Sequence, residues 1–170
     1  MFNNKYSIKT AKFGMLLALS LSLSFLESIL PPVPFLPPGA KLGLSNIVTM
    51  FAVINGGLPS GLLIAVLKSV FAGFTRGFSA FIISLCGGVL SIFTLRLMLF
   101  FKDRKLFGLA GVSVISAVFH NIGQLAGAFV LTGSIYVFGY LPSLILFGII
   151  AGVITGAVLK AVMPALEKIM

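Results

Sequence analysis

Charge is the scarcest resource of this 170-residue chain. Only 9% of its residues are charged, and Asp and Glu together number three. An ordinary soluble domain is about one-quarter charged, and a water-facing surface of this size could not be covered with so few. With 59% hydrophobic residues and a mean hydropathy of +1.19, a cytosolic enzyme is excluded before any motif is read. Cysteine is nearly absent too. Cys86, the only one, rules out an internal disulfide and a thiolate zinc site, and it reads as a small buried hydrophobe.

What is abundant is apolar sequence in long, unalternating runs, which favours helices over a transmembrane barrel. A spanning helix needs ~20 apolar residues. Six such helices fit this length and leave no room for a soluble second domain, so residues 1–170 are expected to form one integral membrane domain. The predicted helices cover about 12–30, 42–54, 62–74, 78–100, 107–131 and 136–162. The fold class expected is an all-α polytopic bundle of about six transmembrane helices. Prolines at 31, 32, 34, 37 and 38 end the first helix. The segment Asn55-Gly56-Gly57-Leu58-Pro59-Ser60-Gly61 separates the second and third runs. Those two are short for full spans and read either as tilted, partly irregular helices or as a re-entrant pair. Lys5, Lys9 and Lys12 before the first run resemble a signal-peptide start, but with no clear small-residue cleavage pattern the segment is read as the first span.

The net charge of +9 does not point to nucleic acid, because the basic residues lie mostly between apolar runs, where a topology signal places them. With six crossings and an inside N-terminus, Lys5, Lys9, Lys12, Lys102, Arg104, Lys105, Lys160 and Lys168 fall inside, and Lys41 and Arg76 outside. This bias predicts a multi-pass protein of the inner (plasma) membrane with both termini cytoplasmic.

Polar residues within apolar runs are functional candidates by default. Glu27 lies one turn from the outer end of the first helix and reads either as an ion-pair partner of Lys41 or Arg76, or as a group facing a ligand. Lys68 and Arg76, eight residues apart, lie on a similar face. With Lys41 they would form an electropositive pocket suited to a phosphate or carboxylate; pairing with Glu27 and contact with lipid headgroups are the alternatives. His120, Asn121 and Gln124 cluster within one turn, where they either hold helices together or hydrogen-bond a polar head group. Gly14 and Ala18 form a small-x-x-x-small face that could seat a neighbouring helix of this chain or of a partner.

The strings Glu27-Ser28 and Pro38-Gly39-Ala40-Lys41-Leu42-Gly43-Leu44-Ser45-Asn46, with Ser84-Leu85-Cys86-Gly87-Gly88 and His120-Asn121-Ile122-Gly123-Gln124, resemble one family. It is the membrane family known both as Gx transporters and as heptaprenyl diphosphate synthase component I. Size and layout are also similar to the substrate-binding S-components of energy-coupling-factor transporters, a likeness of architecture only. The first resemblance implies either transport or a role beside a prenyl diphosphate synthase. Prenyl diphosphate synthases hold diphosphate through Mg²⁺ and aspartate-rich motifs. The three acids here, Glu27, Asp103 and Glu167, lie too far apart in the expected topology to cluster. The chain is therefore expected to be no enzyme by itself and to need no cofactor or metal.

No phosphate-binding G-x-x-x-x-G-K-[ST] loop is present, so pumping would require a membrane coupling subunit with ATPase subunits. The expectation is an S-component-like protein that binds a small polar or anionic solute: a vitamin, a flavin-like cofactor or an isoprenoid phosphate. Glu27, Lys41, Asn46, Lys68, Arg76, His120, Asn121 and Gln124 would form the site, and Gly14 and Ala18 the partner-docking face. Membrane lipid would surround it, and no nucleic acid is expected. The alternative is a non-catalytic membrane accessory subunit of polyprenyl diphosphate or quinone biosynthesis.

Overall fold

A computed structural model describes residues 4–29, 43–102 and 108–169, and these are helical almost throughout, with no strand among them. The elements are α1 (Asn4–Ile29), α2 (Leu44–Arg76), α3 (Phe78–Lys102), α4 (Leu109–Thr132), a short 3₁₀ segment (Ile135–Tyr140) and α5 (Leu141–Ile169). Five helices among the described residues are long and apolar enough to cross a membrane. The protein is thus an all-α bundle embedded in a membrane, as expected, and one of these five long helices takes in two of the expected six.

The difference lies in α2, which joins the second and third predicted helices across Asn55–Gly61. It is not straight. Gly57 has φ 74° and ψ −174°, a conformation that glycine adopts without a Cβ penalty. Lys68 Nζ donates to Asn46 Oδ1 at 2.8 Å and to Ser45 Oγ at 3.3 Å. In a straight helix a separation of 22 residues spans ~33 Å, well beyond a lysine side chain. A Cβ on Gly61 would collide with the Val53 side chain, although eight residues along one helix would hold them ~12 Å apart. Both pairings centre on Gly57. The chain therefore doubles back there into two antiparallel arms, 44–56 and 58–76. Pro59 falls in the first turn of the second arm, where its missing N–H costs no helical bond. Ser60 Oγ donates back to the Gly56 carbonyl at 3.0 Å, and Asn55 Nδ2 to the Phe51 carbonyl at 3.1 Å.

Hydroxyl pairs tie neighbouring helices together. Ser69 bonds Ser84 at 3.2 Å between α2 and α3, Ser91 bonds Ser116 at 2.9 Å between α3 and α4, and Ser113 bonds Thr155 at 3.0 Å between α4 and α5. In hydrocarbon there is little hydrophobic drive between helices, so close packing and such bonds hold the bundle. Small residues supply the close packing. A Cβ on Gly123 would lie 2.6 Å from the Cys86 carbonyl oxygen, and one on Gly87 3.0 Å from the His120 carbonyl oxygen. α3 and α4 thus cross with their backbones almost touching. On the far side of α4, a Cβ on Gly156 would lie 3.1 Å from Ala110 Cα, so α5 packs as tightly. The apolar core, with Val48, Phe51, Val53, Ile64, Ile92, Leu95, Val112 and Leu159 fully buried, fills the space between the arms of α2 and the other helices.

The connectivity sorts the helix ends. The C-terminus of α1, both ends of α2, the N-terminus of α3, the C-terminus of α4 and the N-terminus of α5 share one end of the bundle. Lys9 and Lys12 near the start of α1, Lys102 at the close of α3, and Lys160 and Lys168 late in α5 lie towards the other.

Candidate functional site

At the first of these ends lies a cavity of about 420 Å³. Residues from every helix and from the 3₁₀ segment line it. α1 contributes Ser24 and Glu27. The two arms of α2 contribute Ser45 and Asn46, then Lys68 and Arg76. α3 contributes Ser79, Ala80, Ile83 and Ser84, and α4 contributes His120, Gln124, Leu125 and Ala128. Val137, Tyr140 and Leu144 close the remaining side.

Six of the eight predicted site residues therefore line one cavity: Glu27, Asn46, Lys68, Arg76, His120 and Gln124. Lys41 lies outside the described residues. Asn121 does not line the cavity. It is 7% exposed and its Nδ2 donates to the Leu144 carbonyl at 2.8 Å, tying α4 to α5. The reason is angular. One residue on from His120 turns ~100° around the helix, and this carries Asn121 to the α5 face while Gln124, one full turn on, returns to the cavity.

Glu27 has a role that the sequence did not suggest. Its carboxylate, 5% exposed, accepts the Leu44 backbone N–H at 2.7 Å. Leu44 opens α2, preceded by Gly43 with a left-handed φ of 81°. The carboxylate satisfies a helix-start donor that has no partner within the helix and complements the positive end of the helix dipole. It also lies near enough to Arg76 for the two charges to act on each other.

Lys68 is 4% exposed and reaches across the fold-back to the opposite arm. Its ammonium charge also acts on His120. The imidazole in turn packs against Gly87, whose Cβ would stand 3.2 Å from His120 Cε1. His120 Nδ1 is buried and has no hydrogen-bond partner among the described residues. The Gln124 carboxamide lines the same wall one turn on, and a Cβ on Gly87 would meet its Cγ at 2.6 Å. The α3–α4 glycine crossing thus makes room for both groups at the cavity.

Ser24, Ser45, Ser79, Ser84 and Tyr140 also line the cavity and were not among the predicted site residues. Ser24 precedes Glu27 by three residues in α1, and that helical spacing was the signal that could have found it. Ser79 stands at the start of α3 just beyond Arg76, across the break at Gly77, where no helical spacing applies. Ser84 carried no such signal, since its position is set by the bond to Ser69 across helices.

Gly14 and Ala18 are exposed on α1, and no other part of the chain lies within 4 Å of a Cβ placed on Gly14. That small-residue face seats no helix of this chain among the described residues. Among those residues, no three His, Cys, Asp or Glu side chains come together as a metal site would need.

No curated protein and no solved structure matches the chain. One family model does, over residues 16–162, a stretch that includes α2, α3 and α4, most of α5, the second half of α1 and all the cavity-lining residues. The chain belongs to the heptaprenyl diphosphate synthase component I family.

Proposed function

We propose that this protein is a substrate-binding membrane subunit, S-component-like in its organisation, that receives a small polar or anionic solute in the cavity at the α1–α2 end. The observation that carries this reading is the gathering of Lys68, Arg76, His120, Gln124, Asn46 and Glu27 around one space. Buried polar groups in a membrane bundle cost stability unless they are satisfied. A solute with an acid group would use the two cations, and its apolar body would rest on Ile83, Leu125, Ala128 and Leu144. The lysine-rich ends lie away from the cavity, and the positive-inside bias supports a cytoplasmic location for them in the plasma membrane. The cavity then faces outward and both termini face the cytoplasm. Gly14 and Ala18, open on α1, suit docking by a membrane coupling subunit that works with ATPase subunits.

The chain is not a catalyst in this reading. Of its three acids, Glu27 caps α2 and Glu167 lies near the end of α5, at the far side of the bundle from the cavity. Diphosphate chemistry through Mg²⁺ needs clustered oxygen ligands.

The family's name favours a second reading, since it describes one component of a heptaprenyl diphosphate synthase. In that role the protein would hold an isoprenoid substrate, or tether a soluble catalytic partner, without catalysing the condensation. One experiment separates the two. Protein purified gently in mild detergent is denatured, and the released small molecules are identified by mass spectrometry. A stoichiometric polar cofactor or vitamin supports solute binding; a prenyl phosphate or quinone precursor supports the isoprenoid role. A preparation that releases nothing, and binds no solute when challenged, would sink both.

A further inference from the structure

The wall formed by α4 narrows the chemistry of the ligand, provided the cavity is the substrate site. Gln124 lines the cavity with its carboxamide, and His120, one turn before it, has a buried ring nitrogen, Nδ1, with no hydrogen-bond partner among the described residues. Arg76 and Lys68, on the second arm of α2, line the same cavity. A carboxamide offers a donor and an acceptor side by side. Its complement is another group with an N–H beside a C=O: a lactam, imide or ureide edge. We propose that the ligand is a compact heterocyclic acid, with such an edge against Gln124 and His120 and its anionic group towards Arg76 and Lys68.

A prenyl diphosphate fits this wall poorly. Its polar end carries only acceptor oxygens once ionised, so it leaves the Gln124 carbonyl unpaired, and an unpaired polar group in a desolvated site weakens binding. Its multiple negative charges would also lie near the Glu27 carboxylate, which shares the cavity and is already committed to the Leu44 N–H. A heterocyclic acid brings a single anionic group, which balances the one net positive charge left by Lys68, Arg76 and Glu27 in the cavity. Its apolar body would rest on Ile83, Leu125, Ala128 and Leu144, which line the same cavity.

The test uses the purified full chain in lipid nanodiscs and calorimetric titration. The probes are orotate, biotin and riboflavin 5′-phosphate, each with an N–H/C=O edge and an anion, beside their analogues methylated on the edge nitrogen and farnesyl diphosphate. The expected result is that at least one edge-bearing probe binds and that methylating its edge weakens binding at least tenfold. Gln124→Leu should weaken it similarly, whereas Arg96→Ala, on the exposed face of α3, should leave it within twofold. Gln124→Glu, which keeps the size but removes the amide donor, provides the same comparison if the leucine variant folds poorly. Binding of farnesyl diphosphate that is insensitive to Gln124→Leu overturns the inference and leaves the cavity reading standing. So does tight binding of a methylated analogue equal to its parent. Failure of all three edge-bearing probes also overturns the inference. The cavity reading itself fails separately, if Lys68→Met and Arg76→Met leave the affinity of every binding probe unchanged.

Discussion

Lys68 donates a 2.8 Å hydrogen bond to Asn46 across the fold-back of α2, although 22 residues separate them in the chain. The bond does two things at once. It fastens one arm of the hairpin to the other, and it fixes an ammonium group in the wall of the cavity.

Lys68→Met should therefore lose both functions. Hydrogen bonds to charged groups contribute ~1.5–3 kcal/mol, so unfolding in detergent should be easier by about that amount, less whatever the methionine regains by packing. Ligand affinity should fall at least tenfold. Lys102→Ala, at the opposite end of the bundle, should change affinity by less than twofold. Titration of whichever solute the protein is found to carry measures this, and equal losses in the two variants would remove Lys68 from the site.

Glu27→Ala should weaken the protein by ~1–2 kcal/mol, the usual cost of losing a helix cap. Glu27→Gln keeps an acceptor for the Leu44 N–H and should retain most of that stability. Thermal unfolding of the two variants in the same detergent separates capping from charge. If alanine and glutamine are equally damaging, the carboxylate acts on Arg76 rather than on the helix start.

The glycine crossing predicts a sharp contrast between two conservative changes. Gly123→Ala places a methyl group 2.6 Å from the Cys86 carbonyl oxygen, and overpacking of this kind costs ~1–3 kcal/mol. Gly14→Ala meets nothing within 4 Å and should be neutral for the isolated chain. Loss of function in Gly14→Ala without loss of stability would mark α1 as the surface a partner uses.

Asn121→Ala removes the bond to the Leu144 carbonyl and should cost ~1 kcal/mol of stability, with ligand affinity within twofold of the parent. Gln124→Leu should show the reverse pattern. Measuring both stability and affinity in each variant tests the assignment of these near neighbours to different faces of α4.

Orientation can be read with a cysteine-reactive, membrane-impermeant label in a Cys86→Ala background. A cysteine at Tyr136, which is 88% exposed beside the cavity, should label from outside. One at Glu167, late in α5, should label only after the membrane is opened. The opposite pattern would invert the topology.

Much of this arrangement was legible in the sequence, and the reasons are physical. Apolar runs of spanning length can satisfy their backbone in lipid only as helices or closed barrels, so the fold class followed from composition. Intramembrane charge is costly enough that Glu27, Lys68 and Arg76 announced themselves, and the structure brings them to one cavity. The fold-back was half visible. Glycines and Pro59 flagged a break between residues 55 and 61, but a break alone does not say whether the chain bends slightly or reverses. That depends on Gly57 taking a positive φ and on the Lys68–Asn46 bond closing the hairpin. For Asn121 the sequence left two readings open, helix tying or ligand contact, and adjacency to His120 could not choose between them because one residue along a helix changes the face. The capping role of Glu27 could not be read at all, since it joins α1 to a backbone N–H across a proline-rich stretch.

The hairpin also has a consequence for the depth of the cavity. Its arms are unequal: the first, 44–56, rises ~20 Å, whereas the second, 58–76, rises ~28 Å, close to the ~30 Å thickness of a bilayer's hydrocarbon. The bond from Lys68 to Asn46 sets the opening of the first arm level with a residue eight positions before Arg76, a drop of ~12 Å along the second arm. The start of α2 is thus recessed below the rim that Arg76 marks, and the shortness of one arm is what leaves room for a solute between them and α1.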